Sequence, residues 1–151
     1  MPVNSPPTHA FERSHSIVVA ATPQRVFDYV TNPRTWPRWI ASSHELDCED
    51  RPMRFGDRFH EHWSTRTGAV ELDWLVIACD APKFWIGLTD TPFTGAIVVH
   101  YECAAVEGGA KFTRTVRNPA RPRPPGPDMI ARIDAEAEAA LAAIKRNVEA
   151  L

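Results

Sequence analysis

Residues 58–63 read Arg-Phe-His-Glu-His-Trp, a hexad in which two imidazoles flank one carboxyl. Two histidines at i and i+2 can ligate one metal ion when both stand on the same side of a strand. A carboxyl between them can act as a general acid or base if its surroundings hold its proton near neutral pH. The third possibility is a solvated polar face with no chemistry. Local conformation selects among the three, so the elements that carry the hexad have to be read first.

Other chemical constellations are missing. The stretch Gly-Gly-Ala-Lys-Phe-Thr at 108–113 has too few glycines for a phosphate loop and reads as a hairpin turn. No serine sits in a nucleophile-elbow context, and no acidic pair has glycosidase-like support. Cys48, Cys79 and Cys103 are odd in number and lack metal-ligand spacing, which suits small buried thiols in a reducing compartment.

With 151 residues, 44% apolar and 24% charged, the chain is sized for one globular domain. A formal charge of −2 provides no general field for nucleic acid or anionic lipid. The local basic cluster Arg114, Arg117, Arg121 and Arg123 reads as a solvated rim. No nucleic-acid partner is expected. No run approaches about 18 apolar residues and the N-terminus lacks a signal-type apolar core, so a cytoplasmic protein without membrane insertion is expected. Residues 1–10, with Pro2, Pro6 and Pro7, read as a flexible tail before a single domain over 11–151.

The domain opens with a β-rich run, Phe-Glu-Arg-Ser-His-Ser-Ile-Val-Val-Ala-Ala, that stops at Thr22-Pro23, an N-cap followed by proline in the first helical turn. Val26, Phe27 and Val30 form the apolar stripe of a short helix, and Asn32-Pro33 breaks it before a second, proline-interrupted helix containing Trp36 and Trp39. Strands are expected near 43–48, 58–66, 69–79, 84–90, 95–106 and 110–117. Turns fall at Thr67-Gly68, Asp80-Ala81-Pro82, Thr91-Pro92 and Gly108-Gly109. Connections this short force antiparallel neighbours. The segment 118–127, Asn-Pro-Ala-Arg-Pro-Arg-Pro-Pro-Gly-Pro, is expected to be neither helix nor central strand but a rigid connection. A long helix over 128–150 follows, with Ile130, Ile133, Ala137, Leu141, Ile144 and Val148 along one side. The class is α+β in two layers.

In this order, the stretches Ser16–Ile40, Arg54–Trp63 (Arg-Phe-Gly-Asp-Arg-Phe-His-Glu-His-Trp), Trp74–Pro82 and Gly108–Val116 resemble the START/birch-pollen-allergen-like (SRPBCC) superfamily, in its polyketide cyclase/dehydratase-like branch. The resemblance spans residues 11–150. It implies a helix-grip fold: a seven-stranded curved antiparallel sheet wraps around the C-terminal helix, two short helices follow the first strand, and a cavity lies between sheet and helix. Function on such a scaffold has to come from the site.

Strand period two then sorts the side chains. The inward rows are Val70, Leu72, Trp74, Val76 and Ala78; Ile97, Val99, Tyr101 and Cys103; Phe112, Arg114 and Val116; and Phe11, Arg13, His15, Ile17 and Val19. For 84–90 both Phe84/Ile86/Leu88 and Trp85/Gly87/Thr89 remain open. In the hexad, Phe59, Glu61 and Trp63 face in, while His60 and His62 face out. A metal on the histidines would need a further ligand from that same outer face, where the adjoining strand offers Glu71 or Asp73. The pair reads as a solvated surface and no metal is assigned.

Glu61 is costly to ionise among aromatic rings, so it needs a raised pKa or a cationic partner. On the implied fold Arg114 approaches from the opposite wall, His15 lies beside it, and these three form the candidate catalytic cluster. Phe59, Trp63, Trp74, Val76, Val99, Tyr101, Phe112 and Ile133 are the candidate substrate-binding residues. The implied function is binding of a hydrophobic small molecule, aromatic, polyketide-like or isoprenoid, without cofactor. Acid–base cyclase or dehydratase chemistry and plain carriage of a lipophile are the two versions of it. A monomer or a homodimer fits equally.

Overall fold

A computed structural model describes residues 8–65 and 68–151. The expected tail lies largely outside the described residues, as does Thr67 of the expected Thr67-Gly68 turn. Strand β1 (His9–Val19) leads into helix α1 (Pro23–Val30). The Thr22 hydroxyl accepts from the Arg25 amide at 3.2 Å and Pro23 opens the first turn, so both sequence signals act where they stand. Asn32 caps a following 3-10 turn, Pro33–Arg38, by accepting from the Arg34 amide.

Six strands follow: β2 (Ser43–Asp47), β3 (Arg58–Thr65), β4 (Gly68–Asp80), β5 (Phe84–Thr91), β6 (Gly95–Val106) and β7 (Gly109–Arg121). All neighbours are antiparallel, in the order β1-β7-β6-β5-β4-β3-β2, and helix α2 (Pro127–Glu149) closes the chain. This is the seven-stranded helix-grip architecture. Among the described residues no helix is long and apolar enough to cross a membrane.

Three details depart from the sequence expectation. Asn118–Arg121 extends β7 although it contains Pro119. Beyond Arg117 that strand is paired by β1 alone, and the pairing is interrupted by a bulge between His9 and Phe11, where a missing amide hydrogen does little harm. The same pairing draws His9 and Ala10 into β1. In β4 a bulge between Val76 and Ala78 flips the pleat. Cys79 therefore packs toward the core opposite Trp85, and Ala78 takes the outer row it was not expected to occupy.

Across the open strand the inner row is Trp85, Gly87, Thr89 and Thr91. Gly87 is there for space: a Cβ at this position would stand 2.8 Å from the Trp85 ring. Trp36 reaches from the 3-10 turn into the middle of the sheet's concave face. It makes edge contacts with Phe59, Trp74, Trp85 and Tyr101, with centroids 5.3 to 6.4 Å away. Its indole N–H, which would be costly to bury unpaired, donates to the Val30 carbonyl at 2.9 Å.

Helix α2 buries Ala137, Ala140, Leu141, Ala143, Ile144 and Val148. Its first half, with Ile130, Ile133 and Asp134, is only partly covered. The C-terminal half of the helix thus seals one end of the sheet. The N-terminal half stands off and leaves the other end hollow.

Candidate functional site

The hollow has two parts. A cleft of about 280 Å³ opens between the N-terminal half of α2 and strands β1 and β7, with Ile133, Ala137 and Ala140 on the helix side and Trp63 and Phe93 at the mouth. A smaller chamber of about 80 Å³ lies deeper, against Trp36, Trp74, Val99 and Tyr101. Ile40, Trp63, Ile97, Arg114 and Val116 line both, so the two adjoin through a shared wall.

Glu61 sits on the chamber with 2% of its surface exposed. Its Oε1 accepts the Trp74 indole N–H at 2.9 Å. Burial pushes its pKa up, and Ser43, Trp74 and the Arg114 charge only temper the rise. Tyr101, fully buried and stacked on Trp85 at 5.2 Å, has its phenol pushed up to about 12 by desolvation, with Arg114 opposing. The Arg114 guanidinium stands over the Trp39 ring at 5.6 Å.

Glu61 Oε2, Tyr101 OH, Arg114 Nε and, nearer the edge, Ser43 Oγ are buried without a well-formed hydrogen bond among the described residues. Ser43 approaches Glu61 and Arg114 approaches Tyr101 closely enough to oppose the effect of burial on the acid and the phenol, but neither approach has full hydrogen-bond geometry. Buried polar atoms are normally satisfied, because an unmade hydrogen bond there costs about 1–3 kcal/mol. Here an acceptor or carboxyl donor, a phenol and a guanidinium N–H converge on one apolar space. That arrangement can seize an oxygen-bearing group from two sides.

Of the three candidate catalytic residues, Glu61 and Arg114 both line the chamber. They make no direct ion pair among the described residues. His15 stands opposite Arg114 in the β1–β7 ladder and lines the outer cleft with it, but it does not line the chamber. Its Nε2 lies 2.8 Å from Asp134 Oδ1 on α2, where Arg13 also binds the same carboxylate through two nitrogens. This Arg13–Asp134–His15 cluster ties β1 to the standing-off half of α2, and Arg13 and His15 of it line the cleft.

Among the candidate substrate-binding residues, Trp63, Trp74, Val99 and Tyr101 line the chamber and Ile133 lines the cleft. Phe59, Val76 and Phe112 are buried in the core outside both spaces, Phe59 being stacked on Trp74 at 6.1 Å. Sequence reasoning missed Asp134, an acid within the apolar stripe one position from Ile133 and three from Ala137. It also missed Phe93, an aromatic residue in the Thr91-Pro92-Phe93-Thr94 turn, which stacks on Trp63 at 6.2 Å while 43% exposed.

On the outer face, the sheet turns His60 and His62 away from the chamber, with Asp47 on one side and Glu71 and Asp73 on the other.

The sequence matches the family described as "Polyketide cyclase / dehydrase and lipid transport" over residues 10–149, and the chain belongs to that family. Comparison with curated proteins finds no match. Solved structures share its fold at low identity. A Rhodobacter sphaeroides protein has a TM-score of 0.74 and 22% identity, with 93% of each chain covered. The ZhuI aromatase/cyclase from Streptomyces sp. R1128 has a TM-score of 0.72 and 12% identity, over 93% of this chain and 94% of that one. Ara h 8.0201 has a TM-score of 0.69 and 12% identity, over 95% of this chain and all of the other.

Proposed function

We propose that this protein binds a small, ring-bearing apolar molecule in the cleft, with an oxygen function of that molecule reaching the inner chamber. The observation that carries this reading is the set of unpartnered polar atoms on Glu61, Tyr101 and Arg114 at the base of an otherwise apolar hollow. A few convergent polar groups in a greasy concavity are what fix a ligand's orientation. Membership of a family described by cyclisation, dehydration and lipid transport supports the same ligand class.

Size narrows the choice. Sites for drug-sized ligands run from about 300 to 1,000 Å³, and the cleft stands at the lower edge of that range at about 280 Å³. A space of this size favours a ligand of one or two rings over a long, extended chain. Trp36, packed against Trp74 and Trp85, lines the inner chamber, whose volume is about 80 Å³.

The position of Glu61 favours a second reading, cofactor-free acid–base chemistry. A carboxyl at the chamber wall is placed to give a proton to a leaving hydroxyl or to a carbonyl oxygen, while Arg114 stabilises developing negative charge. Plain carriage of the ligand needs no such step.

A thermal-shift screen with one- and two-ring aromatic compounds, with and without a carbonyl or hydroxyl, tests the binding reading. Oxygen-bearing compounds are expected to raise the melting temperature, and Tyr101→Phe or Arg114→Met is expected to weaken that shift. No shift with any compound, or equal shifts in both variants, overturns it. Glu61→Gln separates the two versions: retained affinity with lost turnover indicates chemistry.

A further inference from the structure

The outer face of the sheet carries a second constellation, independent of the cavity. His60 and His62 alternate along β3 and stand side by side, with ring centroids 5.0 Å apart. Register places Asp47 of β2 opposite His60 and Glu45 opposite His62, and on the other flank Asp73 opposite His60 and Glu71 opposite His62. Four carboxylates therefore surround two imidazoles. The outward rings found only adjoining-strand acids in the sequence reading; the third ligand comes from the edge strand.

We propose that His60, His62 and Asp47 form a binding site for a zinc-class divalent cation. One ligand atom from each of the three lies within 4.8 Å of the others. Bonds of roughly 2.1 Å set tetrahedral donors roughly 3.4 Å apart, so half-exposed side chains need to close by little more than an ångström. His62 Nε2 is already 3.0 Å from Asp47 Oδ2.

The tautomers fit as well. His60 Nδ1 lies 2.6 Å from Asp73 Oδ1, and His62 Nδ1 lies 3.4 Å from Glu71 Oε1. With a carboxylate holding the Nδ1–H of each ring, Nε2 becomes the ligating atom, which is the usual carboxylate–histidine–metal arrangement. At His62 the ion would replace the proton of the hydrogen bond that Nε2 makes with Asp47. Glu71 Oε2 stands 3.7 Å from His60 Nε2 and is within reach as a further donor. Imidazole nitrogens with carboxylate oxygens suit zinc and its neighbours, whereas calcium and magnesium take oxygen alone. The dication also offsets the crowding of four acids.

Such an ion would tie the five-residue edge strand β2 to β3, and its binding would stabilise the folded chain. The inward Glu61 faces away, so the site makes no claim on the cavity.

Untagged full-length protein, stripped with chelator, is titrated with Zn2+ by calorimetry and with Co2+ by visible absorption. One equivalent should bind, with the intense Co2+ bands of a four-coordinate site and a rise in melting temperature. His60→Gln/His62→Gln should abolish all three signals. Asp73→Asn should weaken binding about 10–100-fold, as expected for a residue that orients a ligand. His100→Gln, on a distant part of the same face, should change nothing. If the double variant fails to fold in chelator, Asp47→Asn is used in its place and should lower affinity at least tenfold. No stoichiometric binding, or unchanged binding in the ligand variants, overturns the site.

Discussion

Trp74 donates its indole N–H to Glu61 across the β3–β4 ladder at 2.9 Å, and the two share the floor of the inner chamber. One oxygen of the carboxyl is thus satisfied, and the other makes no well-formed hydrogen bond among the described residues. Because burial raises the Glu61 pKa, the folded state holds this proton more tightly than the unfolded chain does. Its contribution to stability is therefore full below the ordinary glutamate range and is lost as pH rises through the elevated folded value. Glu61→Gln, which cannot ionise, should remove that loss. Melting curves of both proteins from pH 4 to pH 8 should converge at the acid end, with the variant the more stable at the neutral end. Parallel curves would mean that Glu61 does not titrate in this range.

Trp36 governs how much of the interior is hollow. Truncating it to alanine should cost about 3–5 kcal/mol, the range for a large aromatic removed from a packed core. The same change should enlarge the chamber and admit wider ligands in chemical denaturation and binding assays. Gly87→Ala works in the opposite sense. Its Cβ would press on Trp85 and force a ring shift, a cost of about 1–3 kcal/mol for overpacking.

Pleat parity made the inward Glu61 and Arg114 and the outward His60 and His62 readable from sequence, since each sits in a strand whose two rows differ sharply in polarity. The reading stopped where that contrast vanished. In β5 both Phe84/Ile86/Leu88 and Trp85/Gly87/Thr89 can pack, and only the register with β4 and β6 selects the tryptophan row. Ala78 was misplaced because nothing in Val-Ile-Ala-Cys announces a bulge. Pro119 looked like a strand terminator because one-sided pairing is a tertiary fact. Asp134 escaped notice because the helix stripe was read for apolar residues alone, and an acid on that stripe is meaningful only when Arg13 and His15 arrive from 121 and 119 residues away in sequence.

Asp134 holds the roof of the cleft. Hydrogen bonds from Arg13, and secondarily from His15, depress its pKa below the ordinary aspartate range. A depressed carboxylate contributes stability above its unfolded pKa and loses it as pH falls through the folded value. Asp134→Asn should therefore melt lower than the wild type at neutral pH, and the gap should close in strong acid. Hydrogen exchange should locate the loosening in the first half of α2, with the Leu141–Val148 region unchanged.

Ile133 separates occupancy of the cleft from integrity of the fold. It projects from the standing-off half of α2, where the side chain is only partly covered, so a larger residue there meets the hollow before it meets the core. Ile133→Trp should fill much of the roughly 280 Å³ cleft while shifting stability by less than the about 1–3 kcal/mol of true core overpacking. A ligand that enters past Trp63 and Phe93 should then lose affinity by at least tenfold, about 1.4 kcal/mol. The same ligand should bind Phe112→Leu almost as the wild type does, because Phe112 is buried outside both spaces. Equal loss in the two variants would mean that binding follows global stability. Loss only in Ile133→Trp would place the ligand under the helix.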